Sequence, residues 1–179
     1  MRPTKSGRRL PDQDFKDSEQ LFRRVPRECV GPEDELEPSC IQCSFGKVVA
    51  SAPSVVREKY GTARDALDYR CANGKEVSSF IVFCLKVGDL PKGCLSGDND
   101  LYDFYPYHVP EKTCYAHTVI ACKKVDSSPS SYKEPTRSVR NDFKAKFIAA
   151  LNRADMPTLP ESLLLDMGKY WAASKALRT

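Results

Sequence analysis

VSSFIVFCLKV, residues 77–87, is the stretch whose reading sets the fold class. It is dense in β-branched and aromatic side chains, which suit a pleated surface better than a helix. Its centre is apolar at consecutive positions, as in a strand buried on both faces. Next comes a turn-rich segment, KGCLSGDND (92–100), and then two more strands, at 102–109 and 114–123, joined by residues 110–113. In the second, alternation puts Tyr115, His117, Val119 and Ala121 on one face and Ala116, Thr118, Ile120 and Cys122 on the other.

Upstream, residues 40–50 mix Cys, Ile, Phe and Val and read as a strand. QLFRRV (20–25), ended by Pro26, is too short to assign by periodicity. SAPSVVREKYGTARDAL (51–67) carries helix signals: Ser51 or Ser54 as a first cap, Gly61 as a stop, and Thr62 as a second cap ahead of residues 63–67. Downstream, SSPSSYKEPT (127–136) reads as a linker. The period then changes. Val139, Phe143, Phe147 and Leu151 recur every four residues, one stripe of a helix. Thr158-Leu-Pro-Glu161 is a capping box with Pro in the first turn, opening a last helix that carries Met167 and Trp171. The expected architecture is α+β: a small mixed or antiparallel sheet with a C-terminal helical pair. Its parts are a disordered basic tail (1–13), an α+β body (14–126), a linker (127–137) and a helical hairpin (138–179).

The length of 179 residues suits one domain with a core of its own. Charge is uneven: residues 1–11 hold four cations and no anion, residues 12–122 carry a net −5, and residues 123–153 a net +5. Such basic segments can meet nucleic acid or an acidic partner, and equally are solvated faces. The N-terminal stretch has no apolar h-region and no run approaches a membrane span, so a cytoplasmic location without membrane contact is expected. There the eight cysteines would stay reduced. No P-loop, dinucleotide glycine motif, serine elbow or HExxH helix is present, which removes the commonest NTPase and dehydrogenase routes.

Read in order, Leu21-Phe-Arg-Arg-Val-Pro26, then Pro38-Ser39 with Phe45, then Pro53-Ser-Val-Val-Arg57, and finally His108-Val-Pro110 with Ala116-His117 make a skeleton. It resembles a group of small uncharacterised bacterial proteins with an L-[YF]-R-R-[VI] step, a Ser-to-Phe step and a late Ala-His, over about residues 18–124. The chain departs from their pattern at Pro26-Arg27, where His-Pro is usual, and at Tyr107-His108, which replaces Asp-Pro. The resemblance implies organisation and no activity. Arg23 with the Ser39-to-Phe45 step is also similar to the nucleotide pocket of ADP-ribosyltransferase-like folds, but the Glu-x-Glu pair of such a pocket is missing.

Chemistry is sought first where both histidines fall, between the tyrosine run Tyr102, Tyr105, Tyr107 and the Cys114-x2-His117 step, because histidine titrates near neutral pH. A general base there needs a third group to orient it, and Asp103 and Glu111 are near in sequence. Cys40-x2-Cys43 with Cys114 and His117 would supply a zinc set, yet strand alternation would send Cys114 and His117 to opposite faces, so no metal is expected and zinc is the alternative. The tyrosines with Phe104 could stack single-stranded nucleic acid, against the repulsion of Asp98, Asp100 and Asp103. The leading expectation is a protein that acts mainly through a protein partner, as part of a bacterial multi-protein system, docking by Met167 and Trp171 of the helical pair. The alternative is an enzyme or a nucleic-acid-acting protein with a pocket at Arg23, Arg24, His108 and His117. Oligomeric state is left open.

Overall fold

The computed structural model describes residues 10–38, 45, 52–68, 79–111, 114–126 and 132–155. Seven strands form one curled antiparallel sheet. They are β1 (Gln20–Pro26), β2 (Ser54–Arg57), β3 (Phe80–Lys86), β4 (Cys94–Leu95), β5 (Leu101–His108), β6 (His117–Lys124) and β7 (Asn152–Arg153). Across the sheet their order is β4-β5-β6-β2-β1-β3-β7. Two α-helices are present among the described residues: a short α1 (Ala63–Asp68) and α2 (Arg137–Ala150).

This corrects the expected small sheet with a C-terminal helical pair. The stripe Val139, Phe143, Phe147 does form a helix, capped by Thr136, whose side chain accepts the Val139 N–H. All three side chains are fully buried. Phe143 lies 4.0 Å from the Phe104 ring and 5.0 Å from Phe147, in stacked pairs, and Phe45 meets it edge-on at 5.4 Å. Burying each such side chain contributes about 1.5–3 kcal/mol, so α2 belongs to the core and is no detachable arm. Nor does it lead straight into a hairpin. The helix ends at Leu151, which is extended, and residues 152–153 return to the sheet against Cys84 and Phe83.

The sheet has two covered faces. On the face under α2, alternation collects Leu21 and Val25 from β1, Val55 from β2, Phe83 and Leu85 from β3, Phe104 from β5 and Ile120 and Cys122 from β6. On the other, Phe22, Val56 and Val82 meet Ala63, Ala66 and Leu67 of α1. The expected strand at 77–87 is thus β3, and its two-sided burial comes from these two layers. Residues 54–57, expected to open a helix, form β2 instead. The second expected cap does act: Thr62 Oγ1 accepts the Asp65 N–H at 3.3 Å, and the Asp65 carboxylate answers Thr62 N–H at 2.7 Å. Gly61 precedes it at a close approach, where a Cβ would stand 2.9 Å from Val56 Cγ1.

The β4 edge is closed by α2. Asp142 accepts the Leu95 N–H and Ser138 Oγ accepts the Gly97 N–H, so the outer backbone of the edge strand has partners. Among the described residues no helix is long and apolar enough to cross a membrane.

Candidate functional site

Arg57 is the last residue of β2 and shares a face with Val55, so alternation drives its side chain inward. It is completely buried. A guanidinium in such a place must have its donors met. Its Nε donates to Glu19 Oε1 at 2.5 Å and its Nη2 to Glu19 Oε2 at 3.1 Å, a two-pronged pair with a carboxylate that is itself buried. Nη1 donates to the Asp12 carbonyl at 2.7 Å, and Nη2 also donates to the Asp14 carbonyl. The Phe15 ring lies flat against the cation, 3.8 Å from its centre. Every one of these partners comes from residues 12–19, which therefore cross the end of the sheet as a strap. The Asp12 carboxylate also accepts from Lys59 Nζ at 2.8 Å and from the Tyr60 hydroxyl, which together hold it well below the usual carboxylate range.

His108 ends β5 on the same face, paired with Thr118 and fully buried. Its Nε2 is 2.5 Å from the Tyr115 carbonyl, which can only accept, so Nε2 carries the proton. Its Nδ1 accepts the Asp12 backbone N–H at 2.9 Å. Gln13 adds two bonds to the His108 backbone. The ring stacks on Tyr60 at 5.4 Å and meets Tyr115 edge-on at 5.0 Å. Burial pushes its pKa down, and protonation of Nδ1 would break the Asp12 bond. His108 is therefore a neutral seat for the strap. Residues 10–13, expected at the end of a disordered tail, are held by it and by the Tyr115 hydroxyl, which donates to the Leu10 carbonyl.

His117 has the opposite arrangement. It opens β6 one residue before Thr118 and so faces the other side of the sheet, paired with Val56. Its Nδ1 lies 2.8 Å from the Val109 carbonyl, so Nδ1 carries the proton. Nε2 then presents its lone pair to the Ser54 hydroxyl at 3.1 Å. The Glu111 carboxylate stands 3.5 Å from Nδ1. The imidazole is buried while Ser54 is exposed.

The sheet thus divides the four residues of the expected pocket. Arg23 lies on the face of His108, its Nη1 donating to the Ser54 carbonyl and its guanidinium 5.9 Å from Phe147. Arg24 lies on the face of His117, with its cation 4.5 Å over Phe80. Of the expected zinc set, Cys114 sits in the turn before β6 rather than in a strand, and its Cys40 and Cys43 partners lie outside the described residues, as do Met167 and Trp171. Among the described residues no three His, Cys, Asp or Glu side chains gather as a metal site. Sequence reasoning missed Arg57, Glu19 and Ser54. The alternation of Val55 and Arg57 was the available signal for the first.

A second feature lies where β4, β5 and β6 meet, on the face away from α2. Leu95 pairs with Leu101, and Leu101 accepts the Val125 N–H through its carbonyl. These three aliphatic side chains are 47%, 45% and 43% exposed. Lys124 and Asp100 form an ion pair at 2.8 Å, and by alternation Lys124 lies on the other face, with its partner Tyr102. The chain matches no family model, no curated protein and no solved structure.

Proposed function

We propose that this chain works through a protein partner that docks on the exposed Leu95, Leu101 and Val125. The supporting observation is their adjacency across β4, β5 and the turn that follows β6. Single exposed aliphatics are ordinary, but a contiguous group of them has the make-up of an interface core. Such a group removes roughly 200 Å² of apolar surface from water, worth about 5 kcal/mol gross, which suits a reversible contact rather than a permanent one. The partner lies on the face of the sheet and does not extend it, because Asp142 and Ser138 already occupy the edge donors. In this reading the docking element is on the sheet; the expected docking residues Met167 and Trp171 lie outside the described residues, and the apolar side of α2 is filled by the core. Membership of a bacterial multi-protein system and a cytoplasmic setting complete the reading, and the Cys84, Cys94, Cys114 and Cys122 thiols suit a reducing compartment.

The test is a photo-crosslinking side chain placed at Leu101, with one at Lys16 as the control, in cells that express the chain. One discrete adduct at position 101, absent at 16 and lost when Leu95 and Val125 become Ser, is expected. Equal adducts at both positions, or none at 101, would remove the proposal.

A further inference from the structure

We infer that Ser54 and His117, with Glu111 behind the imidazole, form a nucleophilic centre for transfer of small acyl groups from activated esters. Three observations carry it. The Val109 carbonyl fixes the proton on Nδ1, which leaves Nε2 as the acceptor toward Ser54 Oγ at 3.1 Å. That is the tautomer a general base needs, and the distance is within reach of proton transfer. Glu111 places a carboxylate 3.5 Å from Nδ1, on the side where positive charge develops when the ring takes a second proton. The accessibility is divided in the useful sense: the imidazole is buried and the serine is open to solvent. His108 shows the contrast within the same chain, since its lone pair is taken by the Asp12 N–H and has no proton to receive.

In the first step Ser54 Oγ bonds to the acyl carbon while its proton passes to His117 Nε2. The tetrahedral adduct collapses, the bond to the leaving alkoxide breaks, and Nε2 returns the proton to it, releasing an alcohol. A water molecule then attacks the acyl-serine with its proton again going to Nε2, and the carboxylic acid leaves as Ser54 Oγ is reprotonated. Ser54 is exposed while its base is buried, so the substrate class is short, unhindered acyl esters with good leaving groups.

The experiment treats the full chain with a fluorophosphonate probe and follows intact mass, with p-nitrophenyl acetate hydrolysis measured alongside. One adduct per chain, mapped to Ser54 and absent in Ser54→Ala, is expected, with hydrolysis lowered about 100-fold in that variant. Ser54 is exposed, so Ser54→Ala keeps the fold. His117 is buried, and His117→Gln is read only beside a folded circular-dichroism spectrum. Glu111→Gln tests the carboxylate independently, with labelling slowed several-fold and its pH profile shifted. Absence of labelling, labelling that persists in Ser54→Ala, or hydrolysis unchanged in Ser54→Ala would each overturn the inference.

Discussion

Replacing Arg57 by Met removes the cation and leaves the Glu19 carboxylate, 9% exposed, without its partner. The carbonyls of Asp12 and Asp14 lose their donors in the same step. Breaking a buried ion pair by deleting one member costs roughly 3–5 kcal/mol, mostly from the stranded charge. Against a typical domain stability of about 5–15 kcal/mol that is roughly a fifth of the total or more. With a urea slope of about 2 kcal/mol per molar, the unfolding midpoint should fall by roughly 1.5–2.5 M. Glu19→Leu alone should be costly for the mirror reason, since it leaves a buried guanidinium. The double variant should recover much of the loss, because two apolar side chains of similar volume strand no charge. A double-mutant cycle then gives a coupling of about 2 kcal/mol or more. Single variants within 1 kcal/mol of the parent, or a double variant equal to the sum of the singles, would show that the strap is not anchored by this pair.

His108 gives a pH test. Its ordinary pKa is near 6.5 and burial lowers it in the folded chain, so below about 6.5 the unfolded state binds the proton first. Stability should therefore fall as pH drops from 7 toward the depressed folded value, by at most about 1.4 kcal/mol per pH unit, and His108→Gln should flatten the difference from the parent. At still lower pH the contribution of Asp12, present above its ordinary value of 3.8, should fade as the carboxylate protonates, and Asp12→Asn should remove that second decline. Gly61→Ala puts a methyl 2.9 Å from Val56 Cγ1 and 3.0 Å from Ala116 Cβ, so a loss of about 1–3 kcal/mol in chemical unfolding is expected, and an unchanged midpoint would contradict the close packing. Burial pushes the Cys94 thiol up to about 11 and Cys122 up to about 12, so iodoacetamide at pH 8 should leave both unmodified until urea is added, as peptide mass mapping can report.

Three strands were legible because their sequences carry their own signal: β3 by its apolar run, β5 and β6 by alternation. The α2 stripe was legible too, and so was the Thr62 cap. What failed was position in the whole. The stripe of Val139, Phe143 and Phe147 says that one face of a helix is apolar but not that a sheet will fill it. β2 is four residues long and ends in a buried arginine, which reads as a solvated position when its carboxylate partner is 38 residues away. β7 is Asn152-Arg153, two polar residues with no pattern, paired because β3 offers an edge. The site suffered similarly. Both histidines were found, but their separation onto opposite faces depends on the register that pairs His108 with Thr118, and register is a property of two strands together.

The strap also fixes an order of events during synthesis. Asp12 leaves the ribosome long before its acceptor His108, which lies 96 residues later. Its other holder, Arg57, is made in between, but β2 joins the later half of the sheet only through its pairing with His117, Thr118 and Val119. The contacts of residues 10–13 with His108 and Tyr115 must therefore wait until the second histidine strand has been delivered. A nascent chain halted before residue 117 should leave that segment open to protease, and one released after β6 should close it. The earliest of the described residues to be translated are thus among the last to find their place.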